Sequence, residues 1–150
     1  MVDKKQKEMQ EKVLVYQILQ NQLEEFTQQA TAIETRLAEL ELTTHALKEM
    51  KGVEPDSETL FHMGGGCYGH GKLTDRSKFL IEVGAGIMAN KTLPDAIAII
   101  DERKNEVEKI KDKLLAEIEK IGDGMNQIGL ELQKLNREGG GKDDSGITVD

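Results

Sequence analysis

A hydrophobic repeat of seven residues runs through most of the first fifty positions of the chain. Apolar side chains recur at alternating spacings of three and four over nearly six heptads. One seam position is filled by Met9, Tyr16, Leu23, Ala30, Leu37 and Thr44, and the other by Lys12, Leu19, Phe26, Ile33, Leu40 and Leu47. Only Lys12 and Thr44 are not apolar. A pattern sustained this long predicts a coiled-coil helix over about residues 5–51.

The same repeat returns in the second half of the chain and predicts a second coiled-coil helix over about residues 93–137. Its seam positions are Leu93, Ile97, Ile100, Lys104, Val107, Lys111, Leu114, Ile118, Ile121, Met125, Ile128, Leu132 and Leu135. The apolar stems of Lys104 and Lys111 can still cover the seam. Thr92, three residues before Asp95 and two before Pro94, is typical of a helix start. Two helices of similar length predict an antiparallel pair, because each needs a partner for its single seam.

The centre, residues 59–92, changes from a helical to a strand-like pattern. Short runs of β-branched and aromatic residues at 60–63, 67–68, 78–83 and 87–92 predict four strands in two hairpins. The glycine clusters at 64–66 and 84–86 are the same number of residues away from Asp75, which lies in a polar turn. We therefore expect the two clusters to face each other across paired strands, where glycines permit bending and close backbone approach.

The stretch MGGGCYGHGK at residues 63–72 matches the letters of two nucleotide-binding motifs. A phosphate-binding loop needs a strand before it and a helix after it, but Lys72 is followed by Leu73 where Ser or Thr should stand, and then by a turn. A dinucleotide fingerprint needs a βαβ unit, for which the centre has no room. We expect no nucleotide site.

Three residues of the centre, His62, Cys67 and His70, are of types that bind metals. In a regular strand Cys67 and His70 point to opposite faces because they are three residues apart. We expect no metal site.

Composition excludes several other classes of function. The chain has 150 residues, 32% of them charged, 3% aromatic, and a net charge of −8. With Lys and Arg scattered among acidic residues, no basic patch exists for nucleic acid. No apolar run approaches the ~20 residues of a membrane span. A single cysteine fits a reducing, cytoplasmic compartment. We expect one domain and a disordered tail at 139–150.

In layout and motif the chain resembles the α-type subunit of archaeal prefoldin, an ATP-independent holding chaperone. The match is most specific at 64–66, at Gly71-Lys-Leu73, at 79–86 and at Lys91. The four-strand centre favours the α type, because β-type members have one shorter hairpin. The sequence departs from the family pattern at 64–66, where Gly-Gly-Gly replaces the commoner Gly-Ala-Gly, and in His62, Cys67 and His70, where apolar residues are more usual.

This resemblance implies an α+β, mostly α fold, in which a long antiparallel coiled-coil hairpin is joined by two β-hairpins that assemble into an intersubunit β-barrel. It also implies a heterohexamer of two alpha and four prefoldin beta subunits that passes unfolded polypeptides to a group II chaperonin, with no catalysis and no cofactor. The residues expected to serve assembly are Gly64, Gly66, Gly71, Phe79, Ile81, Val83, Gly84 and Gly86.

Near the chain termini the sequence has more apolar residues than the seams require. Such an exposed surface is typical of an interaction site. The residues expected to hold client proteins are Val13, Leu14, Val15, Ile18, Ile128, Leu130, Leu132 and Leu135. Gly122, Gly124 and Gly129 lie opposite and should loosen the helix there. The alternative is a structural or adaptor coiled coil that binds one fixed partner.

Overall fold

The structure, a computed structural model, describes residues 2–75 and 77–139. Helix α1 covers Val2–Glu49 and is followed by a 3₁₀ turn at Met50–Gly52. Four strands follow, β1 at Glu58–Gly64, β2 at Cys67–Lys72, β3 at Lys78–Gly84 and β4 at Ile87–Thr92, and then helix α2 at Leu93–Gly139. The predicted fold of two long helices around two hairpins is confirmed. The tail predicted to be disordered lies, beyond Gly139, outside the described residues.

The chain divides into two compact units. One contains α1 up to Ile33 and α2 from Ile110, and we call it the helical unit. The other is Glu34–Lys109, which contains all four strands and the adjoining parts of both helices, and we call it the strand unit.

The heptad seams account for the burial along α1 and for most of it along α2, where Ala96, outside the predicted seam, is also fully buried. Every predicted seam residue is buried or half-buried, and every other residue between Asp3 and Glu49 is exposed. The most enclosed seam residues are Leu40, Ile100 and Ile121, with 3%, 6% and 7% of their surface exposed. Thr44 is buried in spite of its hydroxyl because the hydroxyl donates a 3.0 Å hydrogen bond to the Leu40 carbonyl. The coiled-coil prediction is thus confirmed residue by residue.

Contacts between the helices show that they are antiparallel in the helical unit. In the helical unit Lys12 contacts Glu131, while Leu19 lies opposite Gly124, where an added Cβ would be 3.5 Å from its Cδ1. The residue number therefore falls along α2 as it rises along α1. In the strand unit Lys104 Nζ lies 3.1 Å from a carboxylate oxygen of Glu41.

The strands form two separate two-stranded antiparallel sheets, β1 with β2 and β3 with β4. Each hairpin closes on a two-residue turn, with Gly64 paired to Cys67 and Gly84 paired to Ile87. Each ladder is irregular just before its turn, at His62–Gly64 and at Glu82–Gly84.

The expectation that the two glycine clusters face each other across paired strands is wrong. Each cluster instead forms the turn of its own hairpin, with φ of 59° and 78° at Gly65 and Gly66, and 49° and 76° at Ala85 and Gly86. Positive φ at both central residues is the geometry of a type I′ turn, whose twist matches the strands that it joins. The polar turn at Asp75, whose carboxylate accepts a 2.8 Å hydrogen bond from the Ser77 N–H, connects one hairpin to the next.

The start of α2 is fixed by a side-chain cap. The backbone N–H of Asp95 donates a 3.3 Å hydrogen bond to the Thr92 hydroxyl, so the last residue of β4 is also the N-cap of the helix. Arg103, two turns further on, donates to the Glu82 carbonyl and so joins α2 to β3.

Candidate functional site

The helical unit exposes aliphatic side chains near the N-terminal end of α1 and the C-terminal end of α2. The exposed fractions are 42% at Val13, 58% at Leu14, 44% at Val15, 48% at Ile18 and 67% at Leu130. We call these five residues the terminal apolar surface. Ile128, Leu132 and Leu135, which the sequence assigned to the same site, are half-buried in the seam.

The helical geometry divides this surface into separate parts. Leu14 and Val15 both neighbour Ile18, because residues three or four apart lie side by side on a helix. Val13 lies on the other side of the seam and, with Leu14, borders a groove along α1. The groove is lined by Gln6, Met9, Gln10, Val13, Leu14 and Gln17.

Leu130 borders a second groove, which spans both helices. It is lined by Tyr16, Met125, Asn126, Gly129, Leu130 and Gln133. A Cβ at Gly129 would meet no atom within 4 Å, so the missing side chain leaves this groove open. The heptad repeat predicts Tyr16 and Met125 as seam residues only, and the structure also places them in this groove. A helical projection of the sequence could have shown this, because both seam positions border the side on which Gly129 lies.

An ion pair lies at the same level of the helical unit. Lys12, half-buried at a seam position, donates a hydrogen bond to the Glu131 carboxylate. That hydrogen bond, together with the opposite charges, raises the pKa of Lys12 and lowers the pKa of Glu131. Because both side chains stay ionised, the pair forms an electrostatic contact between the two helices at this level.

The three glycines of α2 are all compatible with a larger side chain. Around Gly122 and Gly129 an added Cβ meets nothing within 4 Å, and at Gly124 it meets Leu19 at ordinary contact distance. Close packing therefore does not require glycine at these positions. Each glycine costs about 1 kcal/mol of helix stability relative to alanine.

The second candidate surface is formed by the hairpins. In β3 and β4 one face is covered, with Ile81 only 8% exposed and Phe79, Ala89 and Lys91 half-buried. The opposite face shows Leu80 at 63% exposed. The large apolar side chains exposed on the two hairpins are Leu60, Phe61, Met63, Tyr68, Leu80, Val83, Ile87 and Met88.

Two of the expected assembly residues, Phe79 and Ile81, therefore lie on the covered face, whereas Val83 is 49% exposed. The alternation of strand residues between two faces is the signal that separates Leu80 and Met88 from Phe79 and Ile81. The assembly residues expected from the sequence were chosen without regard to this alternation.

Glycines shape the first hairpin in two different ways. Gly64 and Gly66 have φ of 103° and 78°, a conformation that favours glycine. Gly71 is needed for space, because an added Cβ would lie 2.6 Å from Cε2 of Phe61, whose ring covers the glycine. In the second hairpin Gly84 and Gly86 hold φ of 135° and 76°.

The structure does not bring His62, Cys67 and His70 together on one face of the first hairpin. His62 pairs with Tyr68 across β1 and β2, their rings 5.1 Å apart, while Cys67 lies on the other face of the sheet from His70. Within residues 2–75 and 77–139 no group of three or more His, Cys, Asp or Glu side chains is placed to hold a metal. None of the helices described is long and apolar enough to cross a membrane.

Comparison with known proteins gives one consistent family. The family model for prefoldin subunits matches residues 19–138. The chain is 32% identical over 114 residues to prefoldin subunit alpha of Methanocorpusculum labreanum, which is 76% of this chain and 78% of that relative. It is 26% identical over 134 residues to prefoldin subunit alpha of Archaeoglobus fulgidus, covering 85% and 93%.

A solved structure shares the fold. Filamentous PFD from Methanocaldococcus jannaschii, determined by cryo-EM, matches with a TM-score of 0.67 at 17% identity, over 77% of this chain and 96% of that one. Since the family model covers most of both helices and all four strands, the chain belongs to the prefoldin family, whose members are non-enzymatic chaperones, and it has a chaperone-type role.

Proposed function

We propose that this chain captures unfolded polypeptides at the terminal apolar surface of its helical unit, without ATP, and delivers them to a group II chaperonin. The observation that carries the proposal is that five aliphatic side chains are exposed within 18 residues of the N-terminal end of α1 and the C-terminal end of α2. Leu14 and Leu130 are more than half exposed. Exposed apolar side chains grouped at one end of a helix pair are typical of an interaction surface.

The energetics favour weak binding by each chain. If a client covers about 200 Å² of apolar surface, the gain at ~25 cal/mol/Å² is about 5 kcal/mol before the costs of ordering. One helix pair therefore holds a client briefly, and several acting on the same client hold it firmly by avidity. Release then needs no nucleotide, in keeping with a non-enzymatic family.

Assembly through the hairpins would provide those several helix pairs. An isolated two-stranded hairpin is at best marginally stable, and here each sheet has two open edges and exposes residues such as Tyr68 and Leu80. We propose that the hairpins pair with those of other subunits in a β-barrel, giving a hexamer of two alpha and four prefoldin beta subunits. The glycines at the turns and Gly71 give the hairpins their shape, and Phe79 and Ile81 fix the second hairpin within its own chain.

We place this activity in the cytoplasm. The one cysteine, Cys67, is free and exposed, a state that a reducing compartment preserves.

The test is suppression of aggregation of a chemically unfolded protein by the chain assembled with a β-type partner, with no ATP present. Leu14→Gln, Ile18→Gln and Leu130→Gln together should abolish holding without loss of assembly, because all three side chains are exposed. The matched control is Leu42→Gln with Leu115→Gln, which removes exposed leucines, at 67% and 45%, elsewhere on the helices. The control should hold clients like the unmodified protein.

Two other results are informative. If the first variant holds clients as well as the unmodified protein, the terminal apolar surface is not the binding site. If the unmodified complex suppresses aggregation of one protein only, the chain is an adaptor for a fixed partner, and the holding function is wrong.

A further inference from the structure

The two grooves of the helical unit contain no charged lining residue, although 32% of the residues in the chain are charged. Five of the twelve lining residues are amides. They are Gln6, Gln10, Gln17, Asn126 and Gln133. All five are exposed, so their amide groups face solvent and are open to a ligand.

The amides follow the helical repeat. On α1 the residues Gln6, Gln10, Val13, Gln17 and Gln20 recur at spacings of four and three, which places them in one stripe beside the seam. The corresponding stripe on α2 is Asn126, Gly129, Gln133 and Asn136. Each stripe is interrupted only where the groove is apolar or open, at Val13 and at Gly129.

The other flank of each helix has a different character. On α1 it carries Glu8 and Glu11, and on α2 it carries Glu131 and Lys134. The lining of both grooves is therefore neutral, and these charged residues lie on the opposite flank. A neutral lining matches an uncharged occupant, since a charged segment would lose hydration there without gaining a partner.

An amide side chain can both donate and accept hydrogen bonds. An unfolded segment that lies on an apolar surface brings its own backbone N–H and C=O groups out of water, and leaving them unpaired is costly. Amides can satisfy those groups whatever the sequence of the segment. A segment that is already helical has its backbone groups paired internally and gains nothing from them.

We propose that the amide stripes bind the backbone of extended, uncharged apolar segments, while Met9, Val13, Leu14 and Leu130 contact their side chains. This inference rests on the proposed function. The occupant is thus a segment of non-native polypeptide with free backbone donors and acceptors, and the grooves recognise the absence of secondary structure as well as the presence of apolar residues.

The experiment compares two fluorescent peptides of one uncharged apolar sequence, the second N-methylated at alternate residues to remove backbone donors. Binding to the complete chain assembled with a β-type partner is followed by anisotropy. Loss of one or two backbone hydrogen bonds should weaken binding about fivefold. The variant Gln10→Met, Gln17→Met, Gln133→Met keeps side-chain length but not hydrogen bonding, and it should bind both peptides equally.

The matched control is Gln22→Met, on the charged flank of α1, which should discriminate between the peptides as the unmodified protein does. If the unmodified protein binds both peptides with equal affinity, or if the triple variant still discriminates, backbone recognition is overturned while the holding function stands. Tighter binding of a helix-stapled version of the peptide would also overturn it. If neither peptide binds and unfolded protein is not held, the proposed function itself has failed.

Discussion

Replacing Gly122 and Gly124 by alanine tests whether a loose helix end is needed to hold varied clients. The structure offers room for both methyl groups, with nothing within 4 Å of a Cβ at Gly122 and only Leu19, at 3.5 Å, near one at Gly124. The gain is therefore the helix propensity alone, about 1 kcal/mol per site and about 2 kcal/mol together. Neither glycine lines a groove, so the variant changes stiffness and leaves the candidate site intact.

Hydrogen exchange measures the stiffness directly. A gain of about 2 kcal/mol should slow exchange of the amides around residues 118–130 by roughly thirtyfold, because exchange follows the local opening equilibrium. Lys134→Ala is the matched control, an exposed position slightly further along the same helix where propensity changes little. It should leave exchange unchanged.

The functional measurement is aggregation suppression across several unrelated unfolded proteins. We expect the stiffened variant to hold a narrower set of clients, because a groove that bends less fits fewer segments. If exchange slows as calculated but the range of clients stays the same, looseness does not serve recognition. If exchange does not slow, the glycines do not loosen the helix in the first place.

Three further predictions concern the hairpins and the ion pair. Gly71→Ala should weaken the first hairpin by about 1 kcal/mol, because a methyl group 2.6 Å from the Phe61 ring forces the ring off its rotamer. Size-exclusion chromatography of this variant with a β-type partner should show less assembly. Ala85→Asn should raise the Tm by about 3 °C in calorimetry, because a left-handed φ of 49° costs alanine about 1 kcal/mol and asparagine less. Hydrogen bonding by Lys12 holds the pKa of Glu131 below its ordinary value of 4.5. The stability that this pair contributes is therefore complete above pH 4.5 and is lost as the pH falls through the lower pKa of the folded state. Glu131→Gln should remove that part of the acid transition seen by circular dichroism.

Each of these predictions has a control within the chain. Gly69→Ala should be tolerated, since its Cβ would meet only the flexible Met63 sulfur, at 3.2 Å, and equal damage from both substitutions would contradict the role of the Phe61 ring. Gly86→Ala, at φ 76°, should lower the Tm. An unchanged acid transition in Glu131→Gln would show that the pair contributes nothing measurable, as many exposed ion pairs do.

The helices could be predicted from the sequence because one physical rule decides them. A heptad repeat places the same side chains on the same stripe turn after turn, so even the polar exceptions, Lys12 and Thr44, were assigned to the seam where the structure places them. The antiparallel arrangement followed from the length of the two repeats.

The two hairpins could be predicted from the sequence, but the position of the glycine clusters within them could not. The symmetry of the glycine clusters about Asp75 suggested a long-range pairing, whereas local turn chemistry decides the result. Gly65-Gly66 and Ala85-Gly86 each form a two-residue turn that pairs neighbouring strands, and such a turn closes at far lower entropic cost than a longer loop. The second turn is hard to predict from the sequence because it contains Ala85, and alanine is an uncommon residue at positive φ.

The candidate site was only partly predictable because exposure depends on which flank of the seam a residue occupies. An apolar count identified Val13 and Leu130 but could not show that they border different grooves, or that amides border both. The residues of each flank can be identified from the sequence once the seam positions are assigned and the remaining positions are plotted around the helix axis.

The structure also suggests how one helix end can be both adaptable and correctly paired. Sliding of the two helices would separate Lys12 from Glu131, so the ion pair opposes a change of register at the level of the grooves. Bending requires no such separation, and the glycines at 122, 124 and 129 lower its cost. Adaptation is therefore directed into bending, which changes the width of the groove that spans both helices but keeps the amide stripes at fixed heights on their helices. A groove that widens without sliding can accept side chains of different size while offering the same hydrogen bonds to every backbone.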